Sequence, residues 1–79
     1  MKDIVFSKIT IDSFMGPFTI IAEIIGEYQN GYNTESGAWC RYSIPGEKLE
    51  PAIFLKVREK GKHKNKGYNK KSILKVEPA

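Results

Sequence analysis

Residues 18–28 read FTIIAEIIGEY, and this stretch decides the architecture. Phe18, Ile20, Ala22, Ile24 and Tyr28 alternate with Thr19, Ile21, Glu23, Ile25 and Glu27. Period-two alternation puts successive side chains on opposite faces of a strand, so the first set predicts an almost wholly apolar face. The second set mixes Ile with Glu, as expected where a strand passes from a covered to an open part of a curved sheet. The density of Ile and Thr favours strand over helix, and Gly26 permits a bend.

Working outward, Ile4, Phe6 and Ile9 to Ile11 predict a first strand over residues 3–11, with a slip of one residue near Lys8. Asp12 to Pro17, DSFMGP, supplies turn chemistry between the two strands. Phe14 and Met15 are too apolar for a purely solvated turn, and they are expected to cover one end of the core. On the other side, Asn30-Gly31 is a favoured two-residue hairpin turn, the alternative being a longer polar loop to Gly37. Ala38 to Ile44 then reads as a strand, and Pro45-Gly46 fits the centre of a type II turn. Glu47 to Pro51 is short and polar, compatible with one 3₁₀ turn. Ala52 to Val57 forms a fourth strand and Ser72 to Val76 a fifth.

Five short strands joined by tight turns predict an all-β domain, either a small five-stranded barrel or a highly curved antiparallel sheet. The rival is α+β, with a helix over 51–60 that Pro51 would start and an Ile53–Val57 i,i+4 pair would support. The alternation of Ile53, Leu55 and Val57 favours the strand.

Between the fourth and fifth strands lies the most distinctive segment, Lys56 to Lys71, KVREKGKHKNKGYNKK. It holds eight of the thirteen Lys and Arg residues and one acid, Glu59. Gly61 and Gly67 argue against a continuous helix, so residues 58–71 are expected to form one flexible basic loop.

The order of strand, Gly-containing hairpin, a strand reading GAWCRYSIPG and a closing GYNKKSILKV resembles small SH3-like barrels of the Tudor and KOW type. The resemblance spans residues 15–77 and implies a compact β-barrel. The small, Lys- and Asn-rich chain is also similar in style to bacteriophage accessory proteins.

Length and composition bound the possibilities. Seventy-nine residues make one domain with a small core. Cys40 is the sole cysteine, so no internal disulfide forms, and with His63 alone it cannot complete a four-ligand zinc site. Neither a metal nor a cofactor is expected, and a reducing, cytoplasmic setting fits best. No apolar run is long enough for a membrane span, and the start MKDIVFSKIT is not a secretory signal. The net charge of +4 is unevenly distributed. Residues 1–55 carry four basic side chains against seven acidic ones, and residues 56–79 carry nine against two. Charge sorted in this way points to an anionic polymer or an acidic protein as partner, weighed against a merely solvated lysine loop.

The candidate contacts for a DNA or RNA backbone are Lys56, Arg58, Lys60, Lys62, His63, Lys64, Lys66, Lys70 and Lys71, with Tyr68 and Arg41 beside them. Lysines act as point charges, so binding tolerant of sequence is expected. Tyr28, Tyr32, Trp39, Tyr42 and Tyr68 offer rings for stacking or for a Tudor-like cage, although Trp39 reads better as core. Catalysis has little support. Glu23 and Glu27 share a strand face as solvated carboxylates, Cys40 reads as a buried small hydrophobe, and GKHKNKGYN lacks the Lys-Ser/Thr pair of a phosphate-binding loop. The leading expectation is a non-catalytic nucleic-acid-binding domain. Its rival is a protein-interaction module, such as a phage inhibitor or adaptor docking an acidic surface.

Overall fold

A computed structural model describes residues 3–79. Six strands form one antiparallel sheet: β1 (Ser7–Ile11), β2 (Phe18–Thr34), β3 (Trp39–Cys40), β4 (Leu49–Glu59), β5 (Asn65–Asn69) and β6 (Ile73–Pro78). The strand order is β5-β4-β2-β1-β6, with β3 paired to the far end of β2. A single 3₁₀ turn, Lys70–Ser72, carries the chain from one edge strand to the other. The all-β expectation holds, and the sheet is open, with no ladder between β5 and β6. The alternative helix over 51–60 is not formed: residues 49–59 are β4. Among the described residues no helix is long and apolar enough to cross a membrane.

With neither an α-helix nor a second sheet among the described residues to cover it, the sheet must curl on itself to make a core. Ile9, Ala22 and Val57, from three different strands, have no exposed surface. Ile11, Ile20 and Leu55 complete the cluster, and Tyr68 and Ile73 pack against its margin. The backbone N–H of Asp12 donates to the Ser72 carbonyl at 2.7 Å, which ties the β1–β2 turn to the 3₁₀ turn. The molecule is nonetheless elongated, 49 × 28 × 18 Å, with a radius of gyration of 14.1 Å, against about 12 Å for a compact chain of this length. The long axis follows β2, whose seventeen residues span about 55 Å when extended.

Two bulges shape β2. At the first, Ile24 faces Val57 and Gly26 faces Lys56, leaving Ile25 as an extra residue. An extra residue inverts the alternation beyond it. Ile24 therefore lies on the core side and Tyr28, opposite Phe54, on the outer side, whereas simple alternation put them together. Glu23 and Glu27 are separated in the same way, and each meets a different cation, Arg58 and Lys70 respectively. At the second bulge, Asn30 and Gly31 stand against Ala52 alone. Asn30-Gly31 is thus not a hairpin turn. The strand runs through it to Thr34, and the reversal is made at residues 35–38.

Other expectations are corrected. The first strand begins only at Ser7, and the predicted strand 38–44 is reduced to Trp39–Cys40. Trp39 is not core: it is 41% exposed, packs edge-on to Phe54 with ring centroids 6.2 Å apart, and donates its indole N–H to the Asn30 carbonyl at 2.7 Å. Cys40 is half-buried rather than enclosed. Pro45-Gly46 does occupy a turn, with Gly46 at φ 82° and the Glu47 N–H bonded to the Ile44 carbonyl.

Phe14 and Met15 cover nothing. They stand 100% and 85% exposed at the tip of a turn closed by the Gly16 N–H on the Ser13 carbonyl. Replacing both with Ser is accordingly expected to change the unfolding free energy by no more than about 0.5 kcal/mol. Urea denaturation checks this, since a core-capping pair would cost several times more.

A small polar lock joins the far part of β2 to the end of β5. Among the described residues Asn33 is the one buried polar residue, at 3% exposure. The Asn69 side-chain amide donates to Asn33 Oδ1 at 2.7 Å, and the Asn33 amide returns a longer bond of 3.4 Å. Asn69 Oδ1 also accepts from the Lys71 N–H, capping the 3₁₀ turn. Asn33→Ala leaves the Asn69 amide without its partner and is expected to cost about 1–3 kcal/mol, read from the urea midpoint.

Candidate nucleic-acid interface

The basic segment is not a single loop. Residues up to Glu59 belong to β4, Lys60 to Lys64 make the turn, Asn65–Asn69 form β5, and Lys70–Ser72 form the 3₁₀ turn. Lys60 is anchored by its N–H on the Ile21 carbonyl, and Lys62 by its N–H on the Glu59 carbonyl. Gly61, at φ 83°, supplies the backbone conformation that the turn requires. The cations are therefore presented by a β-hairpin.

Ion pairing divides them into two groups. Arg58 binds Glu23 at 2.7 Å, Lys70 binds Glu27, and Lys71 lies 3.8 Å from Glu50. Lys56, Lys60, Lys62, Lys64 and Lys66 have no carboxylate partner among the described residues. Two of these five rest against rings: the Lys60 ammonium lies 5.4 Å from the Phe6 centroid, and that of Lys66 5.4 Å from the Tyr68 centroid. All five are exposed, and so is His63 in the turn.

Two expected members stand apart. Tyr68 faces Leu55 across the ladder, is half-buried at the edge of the core and packs edge-on to Phe18. Its ring packs at the margin of the core, with the Lys66 ammonium over it. Arg41 follows β3, which pairs with Tyr32 and Asn33 at the opposite end of the long ribbon. Seven residues of β4 separate that level from Arg58, about 23 Å along the strand. Arg41 is exposed, but it does not join the lysine cluster.

The fold assembles an aromatic row that strand alternation alone did not reveal. Tyr28, Phe54 and Asn69 lie side by side across β2, β4 and β5. The Tyr28 and Phe54 ring centroids are 5.8 Å apart, and Trp39 continues the row. The neighbouring row is Gly26, Lys56 and Gly67, and the next is Glu23, Arg58 and Asn65. With glycine on each side, Lys56 rises from a bare strip of backbone. The Tyr28 hydroxyl reaches over Gly67, where a Cβ would lie 1.9 Å from its oxygen. The result is a shallow groove of about 440 Å³ between Tyr28, Lys56 and Asn65. The sequence signal for it was Gly26 alone, a glycine at a strand position, which often marks close approach of another group; Gly67 fell in the stretch expected to be a loop.

No protein-family model matches the chain, and no curated protein or solved structure matches it.

Proposed function

We propose that this chain is a non-catalytic nucleic-acid-binding domain that holds a phosphate backbone with the β4–β5 hairpin and has little sequence preference. One observation carries the reading. Among the described residues, Lys56, Lys60, Lys62, Lys64 and Lys66 project from one hairpin with no carboxylate within 4 Å, Glu59 being the one acid beside them, while the remaining basic side chains of the segment are matched to Glu23, Glu27 and Glu50. A solvated basic face has no need to segregate its charges. A surface that displaces counterions from a polyanion gains from every unpaired ammonium it presents. The single antiparallel sheet with a 3₁₀ turn between its edge strands is compatible with the SH3-like resemblance, although the sheet is open, and the free thiol of Cys40 is compatible with a reducing, cytoplasmic setting.

A second reading, a module that docks an acidic protein surface, draws on the exposed Phe14 and Met15, since large apolar side chains held in solvent favour a protein contact. Titrating isotope-labelled protein with duplex DNA, single-stranded DNA and RNA at about 50 and 200 mM salt separates the two. The nucleic-acid reading expects backbone amide shifts concentrated in residues 56–66 that collapse at the higher salt. Silence toward all three ligands would discard it in favour of the protein partner.

A further inference from the structure

We infer that the groove above Gly26, on the outer face of β2, β4 and β5, is a subsite for one unpaired nucleobase. The inference rests on the nucleic-acid reading and narrows it to single strands. Three observations carry it. The floor is bare backbone, because a Cβ built on Gly26 meets nothing within 4 Å, and a flat group can lie there. One wall is the Tyr28 ring, 40% exposed and braced from behind by Phe54. Lys56 and, from β5, Asn65 also line the groove, with Glu27 beside Gly26. An exposed ring offers its face or edge to any base, and an ammonium and a carboxamide meet base carbonyls or the adjoining phosphate.

The position matters as much as the lining. Lys66 borders the groove, and Lys62 and Lys64 follow within three residues of Asn65, about 10 Å along the hairpin. A base seated over Gly26 therefore lies beside Lys56, on the hairpin whose turn carries the unpaired Lys62 and Lys64, while the Lys66 side chain rests on Tyr68 at the other face. Duplex DNA keeps its bases stacked inside and can use only the lysines. The groove accordingly predicts a preference for single strands that the charges alone do not create.

The test compares an oligothymidylate of about eight residues, within the usual site size for single-stranded binding, with a duplex of equal length. The wild-type protein is expected to prefer the single strand by about tenfold, in the range of one stacked base. Gly26→Val fills the floor at a position where Cβ meets no obstacle and where a β-branched residue suits a strand. It is expected to reduce the single-strand affinity to that of the duplex. Tyr28→Leu removes the ring while keeping an apolar cover on Phe54, and it is expected to do the same should the Val variant not fold. If both folded variants keep the wild-type preference, or if the wild type has none, the subsite is overturned while the lysine reading stands. If neither oligonucleotide binds the wild type at low salt, the nucleic-acid reading itself fails, and the subsite with it.

Discussion

Changing Lys62, Lys64 and Lys66 together to Gln is expected to lower affinity for a single-stranded oligonucleotide by about two to three orders of magnitude at about 50 mM salt. Each phosphate contact contributes a slope of about 0.7–0.9 in log K against log salt, so losing three flattens the dependence by about 2 to 3. The chemistry permits a clean experiment. Among the described residues none of the three lysines pairs with a carboxylate, and all are exposed, so their removal leaves no paired acid stranded. The structural loss is confined to the contact of Lys66 with the Tyr68 ring, about 0.5–1 kcal/mol at an exposed site. Fluorescence anisotropy at several salt concentrations reads the slope directly. The contrasting change, Lys70 and Lys71 to Gln, removes as much charge per residue from cations already matched to Glu27 and Glu50, and it is expected to alter the slope far less. An unchanged slope in the triple variant would remove the hairpin from the binding surface.

For stability, the largest single-site effect is expected at Gly31. Its φ of 71° is a conformation that L side chains rarely adopt, and a Cβ there would lie 2.3 Å from the Cys40 carbonyl oxygen and 2.8 Å from Trp39 Nε1. The first obstacle is backbone, which cannot rotate aside. Gly31→Ala therefore combines left-handed strain, about 1–3 kcal/mol, with overpacking of similar size. A chain of this length is stabilised by about 4–12 kcal/mol in all, so a loss of about 2–4 is a large fraction. The damage also has a local signature. Displacing β3 breaks the Trp39 hydrogen bond to the Asn30 carbonyl and separates the indole from Phe54. Trp39 is the one tryptophan of the chain, so its emission should shift toward that of a solvated indole even before global unfolding. A urea midpoint equal to wild type, with unchanged emission, would contradict the bulge geometry.

The two glycines illustrate how local and tertiary information divide. Asn30-Gly31 is legible as a place where the chain needs positive φ, and Gly31 does take it. Whether that conformation turns the chain or merely bulges it depends on β4, which offers Ala52 alone opposite the pair and lets the strand continue. Gly26 is legible as a bend. That it forms the floor of a groove follows only from its alignment with Lys56 and Gly67 on neighbouring strands.

The sequence by itself determined what short-range periodicity and composition can specify. The apolar alternation of Ile9 and Ile11, of Ile20 and Ala22, and of Leu55 and Val57 marked the strands that build the core, and these residues are buried. The concentration of cations after residue 55 marked the functional surface that we propose. Tertiary structure decided what depends on partners distant in the chain. Strand β5 carries no apolar alternation in NKGYN and exists because β4 supplies its hydrogen bonds. The aromatic row formed because the extra residue Ile25 inverted the faces of β2, a shift that only the register with β4 defines. Which lysines remain free was settled by where Glu23, Glu27 and Glu50 came to lie, since ion pairing depends on separation in space and is blind to separation along the chain.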